Sequence, residues 1–176
     1  MALDSDNVRV AVSGAVYVGP TSATAPTASD SATTGFTDLG YVSEAGIAED
    51  FARTTNQIRA MQNGALVREV TSSGTYSVQL TLLETKTEVL ELYFGASITS
   101  GVLNGDPSKT GGRKSFIIDA IDGAIVERTY IPAGEVTAVG TRTLASTDAV
   151  AYTVTITAYA DASDVTYKKF FSQFEA

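Results

Sequence analysis

The side chains able to do chemistry are few, and carboxylates lead them. Asp119 and Asp122 stand three apart and Glu49 and Asp50 are adjacent; paired carboxylates are what glycoside hydrolysis or calcium binding needs. Asp122 precedes Gly123, however, and Asp-Gly is the pair that a tight type I′ hairpin turn uses. Glu49-Asp50 lies in a polar stretch where solvated charge is the simpler account, and no EF-hand spacing occurs. Thr110–Ser115, TGGRKS, glances toward a phosphate loop, but Arg113 separates the glycines from Lys-Ser and the segment precedes a strand instead of opening a helix. The chain has no His, so the usual general base near neutral pH is missing and Ser-His-Asp or Cys-His systems cannot be assembled. It has no Cys either, which excludes disulfides and thiolate metal sites. The expectation is no catalytic residue, no metal site and no cofactor.

Charge narrows the partners. Twelve Lys and Arg face twenty Asp and Glu, for a net charge of −8, and tight duplex binding needs clustered cations to release counterions. Lys168-Lys169 and Arg113-Lys114 are the adjacent basic pairs; they read as surface charge or as contacts to an acidic neighbour. No run of about 18 apolar residues offers a membrane span. The opening Met1–Asp6 is acidic where a signal peptide is basic, which predicts a soluble chain made in the cytoplasm.

The elements that must position these groups are mostly strands. The 176 residues suit one domain, and 24 Thr tilt the composition toward β structure. Val8–Val18 alternates around a bulge-type Gly14. Residues 19–35, small, polar and punctuated by Pro, read as a flexible surface loop. Phe36–Val42 is a short strand, and Ser43–Thr55 an extended polar loop. Asn63-Gly64 turns a hairpin between QIRAMQ and ALVREV. Tyr76–Glu84 alternates, with Tyr76, Val78, Leu80 and Leu82 opposite Ser77, Gln79 and Thr81. Thr85 and Glu88 form a capping box for a short helix that ends at Gly95. Lys114–Ile121 and Ala124–Ile131 flank Asp122-Gly123; both carry apolar residues on both faces, so both faces are expected to be covered. Glu135–Thr143 is a further strand. In Val150–Tyr159, apolar residues alternate with Thr153, Thr155 and Thr157. Tyr167, Phe170, Phe171 and Phe174 follow a helical stripe, although strand addition is also open. Together these predict a mainly β fold of two packed antiparallel sheets, sandwich or barrel, with one flanking α-helix.

The order of several segments is distinctive. DLGYVSEAGIAEDF is followed by QIRAMQNGALVREVTSSGTYSVQLTLLETKTEVLELYFG, then ERTYIPAGEVTAVG and VAYTVTITAYAD. This resembles the major tail tube proteins of long-tailed, siphovirus-type bacteriophages of actinobacteria; Met61 stands where many relatives would carry Trp. The resemblance implies a fold similar to the type VI secretion tube protein. It implies homohexameric rings that stack into a hollow tail tube conducting phage DNA from capsid to host. It also implies tape measure, tail terminator and distal tail proteins as partners, and a virion component assembled in the host cytoplasm.

Laid over the alternation, the resemblance implies an inner sheet from Leu66–Thr71, Tyr76–Glu84, Glu135–Thr143 and Val150–Tyr159. Its lumen face would carry Glu69, Thr71, Ser77, Gln79, Thr81, Glu135, Thr137, Thr153, Thr155 and Thr157. Ser43–Ala65 would be an inter-subunit stacking loop through Ile47, Phe51, Ile58 and Met61, and the arm at 165–176 would add Phe170, Phe171 and Phe174. The competing reading is a virion or cell-surface β-sandwich binding module, an adhesin or decoration protein. That module calls for an exposed aromatic platform, and the chain has no Trp. A carboxylate-only enzyme ranks last, since each acid pair has a structural account.

Overall fold

A computed structural model of the chain describes residues 7–175; the acidic opening at 1–6 and the last residue of the C-terminal arm lie outside them. The strands are β1 (Ser13–Gly19), β2 (Thr37–Asp38), β3 (Val42–Arg59), β4 (Leu66–Leu82), β5 (Ile98–Thr99), β6 (Val102–Leu103), β7 (Lys114–Asp122), β8 (Ile125–Val139), β9 (Tyr152–Tyr159) and β10 (Lys168–Phe171). The helix α1 (Thr87–Phe94) follows β4, and a 3₁₀ turn covers Ser172–Phe174. Eight strands pair antiparallel in the order β2-β1-β7-β8-β9-β4-β3 with β10 added to β8, and β5-β6 is a separate small hairpin.

Strand β8 makes two layers from this one path. Its first half pairs with β7 and with β10. Its second half, from Ala133 to Val139, pairs with β9, with a bulge between Val136 and Ala138. The first layer is therefore β2-β1-β7 with the start of β8 and β10, and the second is the end of β8 with β9, β4 and β3. Between them lies the core: Val16, Val18, Phe116, Ile118 and Ile131 from one side, and Tyr76, Val78, Leu80, Leu82, Tyr152, Val154 and Ile156 from the other. Alternation at the strand period delivers these side chains to one face. Gly134 permits the layers to close at the bend, since a Cβ there would sit 2.8 Å from the Phe116 ring. Val89 and Leu92 of α1 cover one end of the core.

The other face of the first layer is covered too, as its apolar composition required. Ile117, Tyr130, Asp119 and Arg128 are buried beneath residues 20–36. Arg128 donates from Nε and Nη2 to the two Asp119 oxygens at 2.7 Å, and from Nη1 to the Ser31 carbonyl. Ser29 donates from its amide and hydroxyl to the Glu175 carboxylate at 2.7 and 2.6 Å. Phe36 meets Tyr130 edge-on. The 19–35 loop is thus laid across the sheet by partners far away in sequence.

Several local expectations change. Ser43–Thr55 is strand, the first two thirds of β3, because β4 supplies a pairing partner at Val42 and again from Ile47 onward. Leu66–Thr71 and Tyr76–Glu84 belong to one strand, β4, as do Ala124–Ile131 and most of Glu135–Thr143, in β8. The Asn63-Gly64 turn forms as expected, with φ of 56° and 66°. At the second hairpin Asp122 pairs with Ile125, so the central residues are Gly123 and Ala124. Gly123 alone takes positive φ, 60°, as in a type II′ turn. The capping box does not form: Lys86 is the N-cap and no side chain caps it, while the Thr85 hydroxyl bonds the Tyr152 hydroxyl at 3.1 Å. Gly95 ends the helix at φ 64° as expected. The aromatic tail adds a strand to its own sheet. Val8, Val10 and Val12 run before β1, not within it, and are exposed.

Candidate functional site

Two features stand out: a polar face on the second layer and an arm that leaves the body. The face is the side of β9, β4 and the end of β8 that turns away from the core. Register places Ser77 opposite Thr157, Gln79 opposite Thr155 and Thr81 opposite Thr153. Glu135 pairs with Thr157 from the far side. The hydroxyls bond along the rows: Thr81 to Thr153 at 2.8 Å and Thr137 to Thr157 at 2.7 Å. Thr110 donates to the Glu135 carboxylate. Ala48 and Asp50 of β3, opposite Gln79 and Ser77, continue the face. Among the described residues of these rows there is no Lys or Arg. At the margin, the Arg113 guanidinium stacks 4.5 Å over the Tyr159 ring. Eight of the ten residues assigned to a lumen from sequence are thereby brought together.

Glu69 and Thr71 are not. Thr54 pairs with Ser73 but Thr55 pairs with Thr71, so Ser72 is an extra residue in β4. Such a bulge reverses which side chains face which side. Beyond it Glu69 and Thr71 share the face that, in the body, carries Tyr76 and Val78. The Thr55 hydroxyl accordingly donates to Glu69 at 2.6 Å. A strict alternation read through Ser72 puts both on the wrong side.

The arm is the distal half of the β3–β4 hairpin. From 51 to 75 every residue except Ala60 is exposed, on both faces. Past Ala52 it extends about 25 Å at roughly 3.3 Å per residue. It carries Ile58, Met61, Leu66, Val67 and Val70, with Met61 at the tip 99% exposed. Ile58 and Met61 were expected as contacts from sequence; Leu66, Val67 and Val70 were missed. Their signal is the apolar run beside Asn63-Gly64, which the sequence pattern places in the inner sheet as Leu66–Thr71. Ile47 lies in the body, packed against the core. Phe51 sits at the arm's root, stacked on Tyr76 with centroids 4.7 Å apart and meeting Tyr167 at 5.9 Å. Phe170 is half-buried in β10, while Phe171 and Phe174 are more open and meet each other at 6.2 Å.

A charged cluster braces that root. Lys169 Nζ lies 2.8 Å from Glu49 and 2.6 Å from Glu127, and the Tyr76 hydroxyl donates to Glu49 at 2.7 Å. Burial pulls the Lys169 pKa down, but hydrogen bonds to Glu127 and Glu49 outweigh it and hold it above the ordinary lysine value. Burial, then the bond to Glu49, pushes Tyr76 above the ordinary tyrosine range. Lys169 therefore serves its own chain's acids. Among the described residues no group of three His, Cys, Asp or Glu could hold a metal ion, and no helix is long and apolar enough to cross a membrane.

Fold and site define a mainly β protein whose distinctive surfaces are an exposed arm and a hydroxyl face. Residues 1–173 match the phage tail tube protein family, and the chain belongs to that family: it is a structural component of a phage tail. No curated protein sequence matches it. Two solved structures share the fold at 12% identity. One is the sheath/tube terminator of an extracellular contractile injection system, PVC, in its extended state, with a TM-score of 0.55 over 96% of this chain and 99% of that one. The other is the tube-terminating cap of the anti-feeding prophage, with a TM-score of 0.50 over 96% and 98%.

Proposed function

We propose that six copies close into a ring through the second layer, and that rings stack into the tube through which phage DNA leaves the capsid. One observation carries this reading. A sheet buried on one side presents a cation-poor wall of Thr, Ser, Gln and Glu on the other, with an unpaired strand at each flank. Strand β3 pairs with β4 alone, and β8 beyond Gly134 pairs with β9 alone. Open edges like these invite pairing, and ring closure removes them. With four strands from each of six copies, a barrel tilted about 40° at roughly 4.8 Å per strand is about 48 Å across between backbones. A duplex fits inside with side chains to spare.

The wall suits passage. Small hydroxyls stay hydrated, Glu135 and Asp50 repel phosphate, and no Lys or Arg in the described rows would hold it. Before ejection a tape measure protein fills such a bore, and terminator and distal tail proteins close its ends. The tube is that of a siphovirus-type virion, assembled in the host cytoplasm. The exposed arm makes the contact between copies.

Electron cryomicroscopy of the concentrated protein tests this directly. Hollow six-fold particles with Thr153, Thr155 and Thr157 facing the bore are expected. Monomers at every concentration, or a bore lined with Arg and Lys, would overturn it in favour of a binding module.

A further inference from the structure

A groove of about 720 Å³ opens at the end of the β3–β4 hairpin opposite its tip, between the start of β1 and the start of β3. It exists because β3 and β4 lose register between Val42 and Ile47, which splays Ser43–Gly46 away from the sheet. Its lining combines apolar Val12, Tyr41 and Ile47 with acidic Asp38, Glu44 and Glu84; Lys86 neutralises Glu84 at 2.9 Å, so Asp38 and Glu44 carry the groove's negative charge. Val12 and Tyr41 are 75% and 76% exposed, apolar surface that a docked segment would cover.

The arm is its chemical complement. Residues 53–75 hold Arg53, Arg59 and Arg68 against Glu69 alone, a cationic segment on an acidic chain. The apolar side chains Ile58, Met61, Leu66, Val67 and Val70 stand beside those arginines. Arg59 is held within the hairpin, donating to the Gly64 carbonyl and to Gln57, whereas Arg68 shares the face of Ile58 and Val70 by register.

Geometry forbids a tip from reaching its own groove. The two lie at opposite ends of about 40 Å of paired strand, at roughly 3.3 Å per residue. Tip into groove is therefore a contact between different surfaces of two copies, which propagates instead of closing on a pair. We propose that the arm tip of one subunit docks in the Asp38–Glu44–Glu84 groove of another, with Met61 and its apolar neighbours against Val12, Tyr41 and Ile47 and Arg68 facing Glu44. This rests on the tube reading above and names the receptor for its arm.

The chain's lack of Cys permits a test that does not need tubes. Met61→Cys and Tyr41→Cys proteins, distinguishable by tag size, are mixed and oxidised at high concentration, with Met61→Cys plus Ser163→Cys as control. A mixed disulfide dimer at least tenfold above control is expected; yield equal to control overturns the proposal. Charge reversal is the second arm. Arg68→Glu and Glu44→Lys should each raise the concentration needed for assembly at least tenfold, and the two reversals together should restore it. A double variant as impaired as the singles sinks the pairing. Cross-linking without tubes would uphold the dock and defeat the conduit; tubes without cross-linking would do the reverse. Salt-sensitive retention on duplex DNA that requires Arg68, with no cross-link, would replace the second copy with nucleic acid.

Discussion

Strands β3 and β4 run through two environments, and the contrast separates side chains the fold buries from side chains it leaves in the open. In the body, Tyr76, Val78, Leu80 and Leu82 are nearly inaccessible to water. Beyond the Ser72 bulge the same strands hold Ile58, Leu66, Val67 and Val70 in the open. Burial contributes about 25 cal/mol per Å² of apolar surface removed from water, and the body gains that term within a single chain. The arm gains that term only when something covers it. Its hairpin hydrogen bonds hold a shape, and a two-stranded ribbon alone is marginal in water. The arm's cohesion is thus borrowed from the body at its root, through Lys169, Glu49 and the Phe51–Tyr76–Tyr167 rings.

The contrast can be broken first at its strongest point. Phe116→Ala removes a fully buried ring and should cost about 3–5 kcal/mol in urea unfolding of the monomer. Asp119→Ala leaves Arg128 buried without its carboxylate and should cost about 3–5 kcal/mol, with the 20–36 loop becoming more protease-sensitive. Equal stability in either variant would show that the body does not rest on these layers.

Alkaline pH is a milder lever. Burial raises the pKa of Tyr76, Tyr17 and Tyr130 in the fold, while unfolded tyrosine titrates near pH 10. Below about pH 10 both states keep these protons and stability is whole. Above it the unfolded chain releases them first, so stability falls as pH climbs toward the folded values. Raised Lys169 acts in the same direction. Tyrosinate absorbance should rise together with loss of strand signal; free titration without unfolding would contradict the burial.

The smallest expected effect sharpens the comparison most. Ile58→Ala and Val70→Ala, on the open arm, should change monomer stability by less than about 0.5 kcal/mol yet lower assembly clearly by sedimentation. A large loss of monomer stability would mean that the arm has a private core after all.

Much of this was legible in the chain itself. Alternation in Tyr76–Glu84 and Val150–Tyr159 reported both the core and the polar face, because strand side chains point to opposite sides with period two. Two-sided apolar strands at Lys114–Ile131 announced a layer covered on both faces. Asn63-Gly64 marked its turn by φ. Ser43–Thr55 was not legible: its polar, small residues form a strand only because β4 lies alongside, and pairing partners are absent from local sequence. Nor was the bulge at Ser72, since nothing in VTSSGTY says which residue will be left unpaired. Glu69 and Thr71 were misplaced for that reason alone.

The amino-acid sequence by itself determined the class of chemistry and the class of fold. With no His or Cys, more acid than base and alternating Thr, it specified a β protein with small polar faces and no thiol or imidazole chemistry. These properties are carried by single residues and their period. Tertiary structure alone decided that residues 20–36 lie on a buried Arg128–Asp119 pair, that the phase of β4 reverses at Ser72, and that an acidic groove opens at one end of the hairpin whose other end is basic. Each depends on which distant segments meet, and that is settled by packing over the whole chain and not by any stretch of it.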